Sequence, residues 1–295
     1  MQKVAQKTEQ SLLKAYLSLS KAPLSAAVGL PGLLVYLLVK QEFSAALGIA
    51  LVGIFLLALG VSALNQYQER HLDAQMPRTQ NRPLVTGKIK EKEALLFIAM
   101  LLLSAILSLY TVLGWVGVGI RVLVIFLYNA LYTPLKKLTP YAVFPGALLG
   151  IIPPVICWLV AGESILEPSF IALAWFYFIW QIPHFWLLVL IYHRDYAQAK
   201  LPTMVSVFGV EAFARVTYVW ILLTIISALM VVPFFMPKST LILGIILTHS
   251  LFLLWKSVIL LKPSTWIERL TCKRIFMQLN LYTLAIVLLL VIDRW

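Results

Sequence analysis

Charge is scarce in this sequence and acid is scarcer: 12% of the 295 residues are charged, with 12 Asp and Glu against 24 Lys and Arg. Soluble domains carry about twice that density of charge, so an ordinary aqueous globular fold is excluded. Cysteine is almost missing too. Cys157 and Cys272 are poorly placed to pair and lack metal-ligand spacing, which excludes a disulfide framework and a Cys/His zinc site. Neither a Gly-rich phosphate loop nor a nucleophile elbow occurs, so P-loop and serine-hydrolase chemistry are excluded as well. The stretch 1–21 contains Glu9 and has neither an apolar signal core nor the Arg-rich, acid-poor character of a transit peptide. A bacterial plasma membrane is the simplest home for such a chain.

What is abundant is apolar surface: 61% of the residues are hydrophobic. Runs of about 18 or more, long enough to cross roughly 30 Å of hydrocarbon, recur nine times: Ala22 to Val39, Ala45 to Leu64, Ala94 to Leu113, Trp115 to Leu135, Tyr141 to Ala161, Phe170 to Ile191, Val216 to Phe235, Thr240 to Leu261 and Ile275 to Ile292. Unbroken runs fit helices rather than barrel strands, because backbone polar groups in lipid must be satisfied within the segment. The expected fold class is all-α, a polytopic bundle of nine membrane helices in one domain, 1–295. Its cap loops are expected near 65–93 and 193–215.

The basic residues obey this count. Lys3, Lys7, Lys14, Lys21, Arg70, Arg78, Arg82, Lys88, Lys90, Lys92, Lys136, Lys137, Arg194, Lys200, Arg215, Lys256, Lys262, Arg269, Lys273 and Arg274 fall on one side, and only Lys40, Lys238 and Arg294 on the other. By the positive-inside rule the N-terminus is cytoplasmic. The net charge of +12 therefore reports topology, and nucleic acid is not an expected partner. Arg121, inside the fourth span, either snorkels outward or meets a polar partner within the bundle.

Chemistry is sought where polar residues gather. Asn65, Glu69 and Asp73 run out of the second span at four-residue steps. If the helix continues, they share a face, drifting by about 40° per step. Such an oxygen-rich stripe suits Mg²⁺, which takes one or two carboxylates and keeps other positions for water or phosphate. Arg78 and Arg82 follow at once, between Pro77 and Pro83, and guanidinium forks suit phosphate oxygens. Together these features suggest a magnesium-bridged diphosphate; the plain alternative is a solvated loop whose charges only set topology.

A second constellation spans Trp180, Gln181, Pro183, His184, Phe185, Trp186, Asp195 and Tyr196. His184 and Asp195 are about three turns apart, with the histidine about 16 Å deeper, and Pro183 is expected to kink the helix. This wall is either a site for a large flat apolar substrate, with His184 binding iron or orienting a propionate, or ordinary helix packing. A third patch, Tyr132 to Tyr141, carries Lys136 and Lys137, which serve either diphosphate binding or topology.

The stretches NQYQERHLDAQMPRTQNRPL (65–84), YTPLKKLTPYAVFPGALLGIIPPVICW (132–158) and WQIPHFWLLVLIYHRDYAQAKLPTM (180–204) resemble the UbiA superfamily of intramembrane prenyltransferases. The paired Pro153 and Pro154 and the Trp-Gln-x-Pro-His run are similar to the branch that farnesylates protoheme. The likeness covers the chain from about Lys21 to the last span. It implies Mg²⁺ on Asn65, Glu69, Asp73 and Asp195 as catalytic groups, and substrate contacts from Arg70, Arg78, Arg82, Tyr132, Lys136, Lys137, Trp180 and His184. It also implies farnesyl diphosphate and protoheme IX as substrates, the bilayer as surroundings, and a heme A synthase or terminal oxidase as partner. The chain departs from the pattern at Glu69 and His71, where aspartate is usual, and at Ala199, where a second carboxylate would follow Asp195. An aromatic or quinone acceptor on the same scaffold, and a heme carrier or transporter, are the competing expectations.

Overall fold

The computed structural model describes residues 12–263 and 267–295; Lys3 and Lys7, counted above among the basic residues, lie outside them. Among the described residues every regular element is helical. After a short helix, Leu12–Leu19, come apolar helical segments Ala22–Lys40, Ala45–Asp73, Glu91–Leu135, Pro140–Val160, Pro168–Gln198, Met204–Phe235, Thr240–Leu261 and Arg269–Arg294.

The segment Glu91–Leu135 is two spans. As one straight helix its 45 residues would reach about 68 Å, more than twice the hydrocarbon thickness. At Gly114 the backbone leaves the helix with φ 56° and ψ −138°, a conformation that glycine adopts without a Cβ penalty. Beyond it the chain runs back along itself. Arg121, 1% exposed, donates through Nη1 to the carbonyls of Ala105 and Ile106, the latter at 2.6 Å. Residues 105 and 121 would stand about 24 Å apart on a continuous helix, so this bond closes a hairpin. The fold therefore has nine crossings among the described residues, numbered below in chain order, and Arg121 has its polar partner inside the bundle.

Contacts between connections separate into two ends. At one end Lys40 Nζ lies 3.9 Å from Glu163, Gln41 donates to the Arg294 carbonyl at 3.1 Å, and the Lys238 and Ser239 amides donate to Asp293 at 2.6 and 2.9 Å. At the other end Lys21 meets Asn65, Lys136 meets Glu69 and Arg78 meets Asp195. This two-ended sorting is what nine alternating crossings require.

Apolar helices gain little from burial against one another in lipid, so close approach at small residues carries the packing. A Cβ on Gly53 would lie 2.6 Å from Leu109, and one on Gly60 would lie 2.6 Å from Leu102, which shows how tightly the second and third spans mesh. On Gly32 it would lie 2.7 Å from the Pro153 carbonyl, so the paired prolines of the fifth span seat against the first. Both cysteines are free and buried.

Two expectations are corrected. The second polar stretch is not a long loop: the sixth span runs to Gln198, and the seventh starts at Met204 behind an N-cap and capping box from Thr203 and Ser206, leaving only 199–203 between them. The backbone also keeps helical angles through Pro183 and departs from them at Tyr192 (φ −117°, ψ 18°). The Tyr192 ring there lies under Arg78 at 4.9 Å and Arg269 at 5.2 Å. Asp195 lies beyond that break, so the three-turn relation to His184 does not run along one regular helix.

Candidate functional site

The second span stays helical through Asp73, so Asn65, Glu69 and Asp73 fall on one inward face, 2%, 5% and 1% exposed. Buried carboxylates are costly unless paired. Glu69 is paired with Lys136, whose Nζ donates to Oε2 at 2.8 Å and lies 2.6 Å from Oε1. Arg82 donates to Asp73 Oδ2 at 2.5 Å. The turn that returns Arg82 to the helix end is held by Thr79 Oγ1, which donates to the Asp73 carbonyl at 2.9 Å.

The Asn65 amide has a fixed orientation. Thr133 spends its hydroxyl proton on the Tyr128 carbonyl at 2.8 Å, so it can only accept from Asn65 Nδ2, at 3.1 Å. Asn65 Oδ1 then faces Lys21, whose Nζ donates to it at 3.2 Å. Lys21 occupies the break between Leu12–Leu19 and the first span in the left-handed region, φ 50°. That conformation is uncommon for a non-glycine residue and is found where surrounding structure holds it. Burial pushes the Lys21 amine down to about 7, with Arg82 and Lys136 adding repulsion and Glu69 and Asp73 opposing it. Three basic groups thus ring two carboxylates and an amide oxygen, an arrangement with room for further negative charge, which would return a full charge to Lys21.

The fourth span meets this face through a π-helical stretch, Phe126–Tyr132, a form that recurs at functional sites. Within it Asn129 donates to the Val61 carbonyl and to Gln68 Oε1, both at 3.1 Å, and its own carbonyl accepts from Gln68 Nε2 at 3.0 Å. Lys21, Asn129, Thr133 and Gln68 were missed as site residues in the sequence. Lys21 reads there as one topology charge among many. An amide such as Asn129 inside an apolar span is a signal that could have been followed.

From the acid cluster an aromatic wall descends. Lys136 Nζ stands 5.6 Å over the Tyr132 ring, Tyr132 stacks on Phe185 with centroids 6.1 Å apart, and Phe185 meets His184 edge-on at 5.6 Å. Trp180 adds an edge contact to His184 at 5.1 Å. Gly146 makes this possible, since a Cβ there would lie 2.9 Å from Tyr132.

Other expected site residues lie apart. Arg70 turns to Glu91 at 2.9 Å and covers the Tyr67 ring at 4.5 Å, so it does not join the carboxylates. Lys137 is exposed beside the buried-facing Lys136. Asp195 lies 3.9 Å from Arg78, which gives it a basic partner. Among the described residues no three His, Cys, Asp or Glu side chains gather as a metal-binding group, so Asp195 does not complete a carboxylate trio with Glu69 and Asp73.

The UbiA prenyltransferase family model matches residues 13–290. The chain belongs to the UbiA prenyltransferase family. This UbiA-family chain is 32% identical over 284 residues to a protein named protoheme IX farnesyltransferase from Oleidesulfovibrio alaskensis, covering 96% of the chain and 97% of that relative. The same name and identity apply to a protein from Bdellovibrio bacteriovorus over 293 residues, again 96% and 97% covered. Among solved structures, a UbiA homologue from Archaeoglobus fulgidus bound to GPP and Mg²⁺ superposes with TM-score 0.65 at 17% identity, covering 92% of this chain and 99% of that one. A digeranylgeranylglyceryl phosphate synthase structure superposes with TM-score 0.75 at 16% identity, covering 96% and 98%. These structural likenesses establish the shared fold of this UbiA-family bundle.

Proposed function

We propose that this chain transfers the farnesyl group of farnesyl diphosphate to a vinyl group of protoheme IX, giving the hydroxyethylfarnesyl heme (heme O). The observation that carries the reading is the near full-length identity to proteins named protoheme IX farnesyltransferase, and the joined diphosphate-type cluster and aromatic wall support it. The whole chain acts as one catalytic unit in a bacterial plasma membrane, with the acid cluster and N-terminus on the cytoplasmic side. The heme product passes to enzymes that modify or use it, a heme A synthase or a terminal oxidase.

Asn65 Oδ1, Glu69 and Asp73 form a hard-oxygen donor set that fits Mg²⁺ with substrate phosphate completing it. Bound there, the ion would neutralise the diphosphate and help it leave. Lys21, Arg82 and Lys136 face the same anion, and Arg78, oriented by Asp195, extends the basic surface. Their charges oppose the negative charge that grows on the leaving oxygen. As the bond from the allylic C1 to that oxygen breaks, its electron pair departs with diphosphate. The vinyl π pair bonds to C1, water adds to the resulting cation on the porphyrin side, and a proton is released. The ring-lined wall excludes water from C1 until it is captured.

Purified protein in detergent, given heme, farnesyl diphosphate and Mg²⁺, is expected to yield a tetrapyrrole heavier by one farnesyl group and one hydroxyl group. Transfer of labelled farnesyl to quinone precursors but never to heme would overturn the reading.

A further inference from the structure

The ninth span carries a polar residue, Asn280, that neither the sequence motifs nor the diphosphate chemistry uses. Its Nδ2 donates to the Phe276 carbonyl at 2.6 Å, one turn back. A carbonyl oxygen can only accept, so this bond fixes the amide orientation and makes Oδ1 the atom presented to His184. His184 Nδ1 lies 2.8 Å from that oxygen. An amide oxygen has no proton to give, so Nδ1 is the protonated nitrogen and Nε2 keeps its lone pair. Nε2 has no hydrogen bond among the described residues, and the side chain is half-buried rather than sealed.

The imidazole is held laterally as well. Its ring lies 4.8 Å from Phe276, 5.1 Å from Trp180 and 5.6 Å from Phe185. In the same cluster Trp180 Nε1 is buried without an acceptor, which is costly unless a ligand completes the site. The wall is contiguous with the diphosphate cluster through Tyr132 and Phe185.

We infer that Asn280 is a positioning residue that holds His184 in the tautomer whose Nε2 ligates the iron of the metalloporphyrin substrate, docking the macrocycle against the aromatic wall beside the allylic carbon. This rests on the reading of protoheme as acceptor. A neutral imidazole whose other nitrogen donates to an amide oxygen is the arrangement by which proteins orient a metal-binding histidine and raise its basicity. Held so, the porphyrin cannot rotate freely, and one vinyl group is presented to C1.

The test uses full-length protein in detergent micelles, loaded either with heme, reduced to the ferrous state, or with metal-free protoporphyrin IX. The readouts are Soret absorbance and the resonance Raman iron–imidazole stretch. The wild-type protein is expected to show that stretch. His184→Ala is expected to lose it and recover it with added imidazole, while binding metal-free protoporphyrin and farnesyl diphosphate as before. Asn280→Leu, which removes the acceptor, is expected to lower the stretching frequency and weaken heme binding about 10- to 100-fold, and Asn280→Asp to raise the frequency. If His184→Ala does not fold, the two Asn280 variants carry the test alone. An unchanged frequency in Asn280→Leu, or a stretch that survives in His184→Ala, overturns the inference and leaves heme farnesylation standing. Failure of the wild-type protein to bind either porphyrin, with farnesyl diphosphate binding intact, removes the functional reading and this inference together.

Discussion

Lys21 is the residue on which local electrostatics act most visibly. A lysine whose folded pKa is lowered binds fewer protons than the unfolded chain between about 7 and its ordinary value. The burial penalty on its charge is therefore full at low pH and is relieved as pH rises through that window, so Lys21 itself favours stability at higher pH. Diphosphate binding has the opposite sign. It restores the proton, so affinity for a non-reactive farnesyl diphosphate analogue is expected to weaken above about pH 7, by at most about tenfold per unit. Lys21→Arg, which stays charged, is expected to lose that extra slope, and comparing the two proteins by calorimetry cancels the ligand's own titration. Equal slopes would remove Lys21 from the anion site. Two of the three arginines ahead of the third span, Arg82 and Arg70, differ in the same terms: Arg82→Ala leaves buried Asp73 uncompensated, and kcat is expected to fall about 10²- to 10³-fold. Arg70→Ala, whose partner Glu91 is exposed, is expected to stay within a few-fold of wild type. Steady-state kinetics on both variants checks the contrast.

At the scale of the element, glycine determines where helices turn and how near they come. A side chain at Gly114 would meet open space, so Gly114→Ala is expected to cost only its backbone strain at φ 56° and ψ −138°, about 1–3 kcal/mol. Gly32→Ala drives a Cβ into the Pro153 carbonyl and is expected to cost about 1–3 kcal/mol through overpacking. Thermal unfolding in detergent measures both, and an unaffected Gly32→Ala would contradict the tight seating of the fifth span on the first. Elements were the most legible level of this sequence. Run length sets span number, and the four-residue spacing of Asn65, Glu69 and Asp73 sets their shared face once the helix continues. The π-helical register of Phe126–Tyr132, the left-handed Lys21 and the break at Tyr192 were not legible, because each is settled by contacts between distant segments. Arg70 and Arg82 look alike in the sequence for the same reason: their partners, Glu91 and Asp73, separate them only in three dimensions.

For the molecule as a whole, polar contacts divide the connections into two ends, and the basic residues concentrate at the end bearing the acid cluster. Reporters inserted at 74–90 and 199–203 are expected to read cytoplasmic, and those at 162–166 and 236–239 periplasmic, with the chain's two ends on opposite sides. The reverse assignment would invert the orientation without altering the bundle. The central claim is that buried oxygens of one helix face, ringed by cations, activate a farnesyl diphosphate beside a wall that holds a porphyrin. The most direct measurement is product mass from purified wild-type protein and Asp73→Asn, each given heme, farnesyl diphosphate and Mg²⁺. The account predicts heme bearing an added farnesyl and hydroxyl group from the wild-type protein and at least about 10²-fold less from the variant. Equal product from the two, or unmodified heme from both, would contradict it.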